Sequence, residues 1–130
     1  MPGTDANAPV IDTALLAAAA TAELEDWGAL DEATSDSIPM QVHGLTLWAA
    51  GDDSGAGSAG EAGVWQCTAG PSYWVQEEHE VIYVLSGTLT VTPDGGASKT
   101  LGPGDLAVFP RGWRGAWDLH ETVRKVYVLF

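Results

Sequence analysis

The sequence predicts an all-β fold, a sandwich or barrel of short strands, and three observations carry that expectation. Apolar runs of strand length recur from Gly63 to Trp117, each closed off by Gly, Pro or Asp-Gly, the spacing of a chain that folds back on itself every ten residues or so. Turn chemistry falls where such a fold needs it, at Ser86-Gly87, at Pro93-Asp94-Gly95-Gly96 and at Gly102-Pro103-Gly104-Asp105; Gly adopts positive φ there at little cost. The chain has 130 residues, enough for one domain that buries about two thirds of its unfolded surface without disulfides.

Taken in order, Met1 to Pro9 is rich in Gly, Pro, Asp and Asn and is expected to be disordered or draped over a neighbour. From Asp12, a candidate N-cap, the run TALLAAAATAELEDW consists of strong helix formers and stops before Gly28. It predicts a short N-terminal helix docked through Leu15, Leu16, Ala19 and Leu24. Residues 1–35 thus form an N-terminal arm and residues 36–130 the β domain. The first strand is expected at Met40 to Ala49, with Val42, Gly44, Thr46 and Trp48 on one face and His43, Leu45 and Leu47 on the other. Gly51 to Gly63 has almost no side chain for a core, and predicts a long, mobile hairpin loop.

Six shorter strands follow, at Val64 to Thr68, Tyr73 to Gln76, Val81 to Leu85, Thr88 to Thr92, Ala97 to Leu101 and Leu106 to Phe109. The segment VIYVL shows no alternation, so both of its faces are expected to be covered. Gly115 to Leu119 and Val123 to Phe130 complete the set, which makes the final strand part of a sheet.

Charge and cysteine content exclude several functions. A formal net charge of −13 argues against a phosphate-backbone partner, since nucleic-acid affinity depends on neutralisation by Lys and Arg. The few basic residues lie in the C-terminal third, Arg111, Arg114 and Arg124 among them, and pairing with the abundant carboxylates is their simplest use. A single cysteine, Cys67, permits no intrachain disulfide and reads as a small buried residue. With no basic leader and no apolar run of membrane-spanning length, a cytoplasmic protein with no membrane partner is expected.

Two blocks resemble the cupins, the small double-stranded β-helix or jelly-roll family. Glu80 followed after six residues by Gly87 matches the end of the first cupin motif, Gly-x5-His-x-His-x3–4-Glu-x6-Gly. Gly104, Pro110 and Gly112 match the start of the second, Gly-x5-Pro-x-Gly-x2-His-x3-Asn. GVWQCTAG, GDLAVFPRGWRGAW and ETVRKVYV are similar to a branch of small single-domain cupins named after the cupin domain of (S)-ureidoglycine aminohydrolase, which includes a protein of ethanolamine utilisation. The resemblance implies a jelly-roll barrel. In cupins, three histidines and a glutamate converge on a divalent ion; here those positions fall on Trp74, Gln76, Glu80 and Gly115. Only Glu80 is a competent hard-metal ligand and Gln76 a weak one, so no resident metal is expected. Were manganese, zinc or iron held, Glu80 and Gln76 would hold it with a borrowed histidine, and His43, His79 and His120 lie on separate segments.

What remains is an aromatic pocket. Trp74, Gln76 and Glu80 share strand parity and are expected to point into the barrel, with Trp65, Tyr83, Trp113 and Trp117 lining or covering its mouth. A carboxylate among tryptophans calls for a cationic neighbour, and Lys125 is the candidate; Glu80 and Lys125 are therefore the expected catalytic pair, the others the ligand-binding set. The leading expectation is a metal-independent cupin that binds or transforms a small polar metabolite, with Glu80 as general acid or base and Gln76 orienting the ligand. The alternatives are a metal-dependent enzyme similar to ureidoglycine aminohydrolase and a non-enzymatic dimeric module. A homodimer is expected on any of these, because a jelly roll of this size leaves strand edges and apolar faces to cover.

Overall fold

The computed structural model describes residues 15–50 and 60–130. Ten strands make up the described chain: β1 (Glu25–Ala29), β2 (Gln41–Ala49), β3 (Glu61–Cys67), β4 (Gly70–Val75), β5 (Glu80–Ser86), β6 (Leu89–Pro93), β7 (Lys99–Leu101), β8 (Leu106–Phe109), β9 (Arg114–Leu119) and β10 (Val123–Leu129). They form two antiparallel sheets, one in the order β1-β2-β3-β10-β5-β8 and the other β4-β9-β6-β7. The inner faces enclose a core in which Cys67, Ile82, Val84, Leu89, Trp117, Leu119 and Val123 are all buried. Alternation on β9 and β10 explains this directly: every second residue enters the core, and the intervening ones face out.

β10 sits between β3 and β5, paired antiparallel to both along its whole length. The C-terminal strand is thus interior to its sheet, as expected. A register shift between Arg124 and Lys125 sets Lys125 opposite Val84 and Tyr127 opposite Ile82, on the inward-facing side of β5.

The N-terminal helix does not form over the described part of its predicted span; residues 12–14, like the arm at 1–9, lie outside the described residues. One turn closes at residues 18–22, where Thr21 and Ala22 donate to Ala18 O. The Arg124 guanidinium then takes the carbonyls of Ala19 and Ala22. Carbonyl partners supplied by an arginine and a free edge on β2 outweigh a helix propensity worth only tenths of a kcal/mol per residue. The end of the predicted helix instead becomes β1, pairing Glu25 with Gly44 and Ala29 with Gln41 across a bulge at Asp26 and Gly28. Asp26 Oδ1 accepts from the Gly28 N–H at 2.8 Å, and Gly28 takes φ +84°. Gly28 is therefore a bulge glycine and not a helix stop.

A second expectation is corrected at VIYVL. β5 has neighbours on both edges, but its burial alternates: Ile82 and Val84 face the core while Tyr83 lies on the open outer face of the sheet. Predicted loop residues 51–59 lie outside the described residues, and the strand after them begins earlier than expected, at Glu61.

Gly87 closes the turn after β5 at φ +82°, and a Cβ there would stand 2.2 Å from the Thr122 carbonyl oxygen and 2.9 Å from the Val123 Cα. Both obstacles are backbone, so relief requires moving the start of β10. Gly87→Ala is expected to lower stability by about 2 kcal/mol or more, read as a fall in thermal midpoint of roughly 5–10 °C.

Candidate functional site

A lysine on the inward face of a central strand needs a charge partner, because an isolated buried ammonium costs several kcal/mol. Lys125 is 3 % exposed, and its Nζ lies 2.8 Å from Glu80 Oε2. The other oxygen, Glu80 Oε1, accepts from Gln76 Nε2 at 3.2 Å. All three side chains are buried, forming one hydrogen-bonded chain of ammonium, carboxylate and amide. Indole rings surround the ammonium, which stands 4.4 Å from the Trp65 centroid, 4.5 Å from Trp117 and 6.0 Å from Trp74. These distances are in cation–π range, where desolvation strengthens the attraction.

Each group is held by its own element. Glu80 opens β5 opposite Phe109 of β8 and Leu129 of β10. Gln76 follows β4 and is pinned through its backbone, its N–H donating to Trp113 O at 2.9 Å and its carbonyl accepting from Gly112 N at 2.8 Å. Trp74 lies opposite Gly115 in the β4–β9 ladder. Its indole N–H donates to Ser72 Oγ, which in turn donates to Trp117 O, both at 2.8 Å. That chain fixes the ring against Trp117 at 4.7 Å and edge-on to Trp65 at 6.2 Å.

Gln76, Glu80 and Lys125 face a cavity of about 780 Å³ that Trp65, Trp74 and Tyr127 also line. One lip comes from β1 and the turn after it, Trp27 to Glu32, and the other from Glu77 and Glu78. Trp27 fits because β2 offers it a residue without a side chain: a Cβ on Gly44 would fall 2.2 Å from the indole. Deeper in, the Tyr127 hydroxyl donates to Glu61 Oε2 in a short hydrogen bond. Burial, and after it this bond to Glu61, push the Tyr127 hydroxyl well above the usual phenol range. Cys67, fully buried behind the cavity wall, has its thiol pushed up to about 11 by burial, a rise that the Lys125 charge partly offsets. It is held as a neutral thiol.

Of the residues expected at the site, Glu80, Lys125, Gln76, Trp65 and Trp74 come together. Trp117 is fully buried beneath the ammonium, as floor and not as mouth. Trp113 packs edge-on against Phe109 at 4.9 Å and is outside the cavity lining. Tyr83 points to the opposite face of its strand and takes no part. The structure adds Trp27, Glu61, Glu78 and Tyr127 to the expected set. Tyr127 shares parity with Lys125 two residues away, a signal legible in RKVYV; Trp27 and Glu61 lie in segments whose composition reads as helix and loop.

The positions that hold the ion in cupins carry few ligating side chains here. Trp74 and Gly115 offer no ligating side-chain atom, and the Glu80 carboxylate is engaged by the Lys125 ammonium at Oε2 and the Gln76 amide at Oε1. His79 Nδ1 accepts from the Arg111 N–H, His120 is bonded to Thr88 and Thr90, and His43 pairs with Asp26 and Gln66 in the sheet. Among the described residues no group of three or more His, Cys, Asp or Glu could hold an ion.

Comparison with known proteins agrees with this architecture. The family model described as the EutQ-like cupin domain matches residues 54–127. A protein of unknown function from Pseudomonas syringae pv. tomato, of the DUF861 family, superposes with a TM-score of 0.72 at 23 % identity, over 85 % of this chain and 46 % of its own. The chain therefore spans less than half of that relative. A DUF861-family protein from Thermotoga maritima is 36 % identical with a TM-score of 0.50, over 52 % of this chain and 76 % of its own. A putative ethanolamine utilization protein Q from Salmonella typhimurium gives 0.58 at 24 % identity, over 79 % of this chain and 76 % of its own. No protein of curated function matches the sequence. Among the described residues no helix is long and apolar enough to cross a membrane.

The buried pair makes a double-mutant prediction. Lys125→Met alone strands the Glu80 carboxylate and is expected to cost about 3–5 kcal/mol in urea unfolding. Lys125→Met combined with Glu80→Gln should recover most of that loss, giving a favourable coupling of at least about 1 kcal/mol.

Proposed function

We propose, for a chain that belongs to the EutQ-like cupin domain family, that its barrel binds a small polar metabolite and carries out proton transfer on it without a metal ion. The observation that supports this most directly is the buried chain of Lys125, Glu80 and Gln76 facing a cavity of metabolite size. Glu80 is the proton-transfer group, because its carboxylate is fixed from both sides and lies at the cavity wall. Lys125 supplies the positive charge that a cupin metal ion supplies elsewhere, so an electron-rich oxygen of the ligand has a donor within the same site. Gln76 orients the ligand through its amide. A metal-dependent reaction like that of ureidoglycine aminohydrolase finds weaker support, since the residues that would complete its ligand set are an indole and a glycine.

A second reading concerns what covers the outer face of the larger sheet. Tyr83 is 43 % exposed, Leu106 68 %, Val108 57 % and Val128 38 %. They sit cross-strand from one another, Tyr83 opposite Leu106 and Val81 opposite both Val108 and Val128. None of these side chains is charged, on a chain of formal charge −13. A second copy approaching here meets the least like-charge repulsion, which favours a homodimer formed face to face.

Two measurements test these readings. Calorimetric screening of polar metabolites should find a ligand whose turnover falls about a hundredfold in Glu80→Gln and whose affinity falls in Gln76→Ala; unchanged binding and turnover in Glu80→Gln overturn the first. Sedimentation velocity should give a dimer that Leu106→Glu converts to monomer, and a monomeric parent protein overturns the second.

A further inference from the structure

Away from the cavity, the outer face of the smaller sheet carries a hydrogen-bonded relay of Thr90, His120, Thr88 and Glu121. We propose that it makes Thr90 a nucleophilic hydroxyl that accepts acyl groups from activated esters, with His120 as its general base. Antiparallel pairing assembles the group from distant segments. β6 lies between β7 and β9, which sets Thr90 opposite Thr100 on one side and Asp118 on the other. Thr88 precedes β6 and His120 follows β9. The His120 backbone N–H donates to the Thr88 carbonyl at 3.0 Å, so the two segments stay side by side past the end of the ladder. Alternation on β6 buries Leu89 and Val91 and leaves Thr90 half-buried on the outer face, with His120 exposed beside it. A reagent in solution can reach both.

The directions of the hydrogen bonds follow from a count of protons. Thr88 donates its hydroxyl proton to Glu121 Oε2 at 3.2 Å, and a hydroxyl has only one to give. Toward His120 Nδ1, at 3.0 Å, it therefore accepts, which puts the proton of the neutral imidazole on Nδ1. Nε2 is then the basic nitrogen, and the Thr90 hydroxyl donates to it at 2.8 Å. By the same count the Thr100 hydroxyl, 3.1 Å away, donates to Thr90 Oγ1. A hydroxyl in contact with a base, whose other nitrogen is fixed by a third group, is the arrangement that activates a nucleophile. Attack forms the bond from Thr90 Oγ1 to the acyl carbon and passes the hydroxyl proton to His120 Nε2. Collapse of the adduct breaks the bond to the leaving group, which departs with its electron pair, and the imidazolium returns the proton to that group or to water. Because β6 is paired along both edges, the backbone N–H groups beside Thr90 are committed to the ladders, and the described residues present no backbone oxyanion hole there. The donor must bring its own activation, so phenyl esters and thioesters qualify and amides do not.

The probe is p-nitrophenyl acetate, added to the full chain, with peptide mapping by mass spectrometry to locate and time the acetyl group. Release of p-nitrophenolate should be matched by acetylation of Thr90. His120→Gln, which alters an exposed side chain, is expected to slow acetylation at Thr90 about a hundredfold. Thr88 acts only by positioning the ring, so Thr88→Val should slow the reaction about tenfold while Thr88→Ser, which keeps the hydroxyl, should retain the parent rate. Acetyl groups confined to lysine side chains, an unchanged rate at Thr90 in His120→Gln, or equal rates in Thr88→Ser and Thr88→Val would each overturn the proposal.

Discussion

The structure depends on one buried ion pair. Lys125 and Glu80 are each nearly inaccessible, and their contact at 2.8 Å is closed on one side by indole rings and on the other by the Gln76 amide. Such a pair contributes little net stability, because desolvation of both ions offsets most of their attraction. Its effect is on geometry. Lys125 must lie opposite Val84 for its ammonium to enter the barrel, so the register of β10 on β5 is tied to the satisfaction of this charge. A slip by one residue would turn Lys125, and every apolar side chain of β10, to the other face. The same contact that fixes the central strand thus places a donor and an acceptor at the base of the cavity.

Much of the barrel was legible in the sequence because turn chemistry and strand period agree from β2 onward: nine of the ten strands fall where apolar runs between Gly and Pro signals put them. β1 was not legible. The alanine-rich run that precedes it does not decide the conformation of Glu25–Ala29, since the choice there is made by the free edge of β2 and by the hollow that Gly44 leaves for Trp27, neither of which is local to the segment. Gly28 illustrates the difficulty. A glycine after a run of helix formers reads equally as a helix end or as a bulge, and only the Asp26 carboxylate that accepts its N–H tells which.

The site divides in the same way. Gln76, Glu80 and Trp74 could be placed by spacing, since parity along β4 and the position of Gly87 are sequence properties. Lys125 could be nominated but not placed, because a bulge at Arg124 sets its face and a bulge has no fixed signature in RKVYV. Tyr83 is the converse case. An unbroken apolar run suggests two covered faces, but burial alternates along β5, so Ile82 and Val84 enter the core while Tyr83 stays on the open outer face.

These two classes of residue also divide the work of the cavity. Its base is built from central strands, where Lys125, Glu80, Trp65 and Trp74 are locked by core packing and by hydrogen bonds, so its donor and acceptor positions are rigid. Its lips come from segments added at the edge: β1 is the outermost strand of its sheet, and Glu77 and Glu78 lie in the connection between β4 and β5. Edge strands and connections tolerate change that a central strand does not. A barrel organised this way can keep one chemistry at its base while altering what the mouth admits. In this chain those edge segments carry Asp31, Glu32, Glu77 and Glu78, so part of the negative charge of the sequence is concentrated at the cavity's lips.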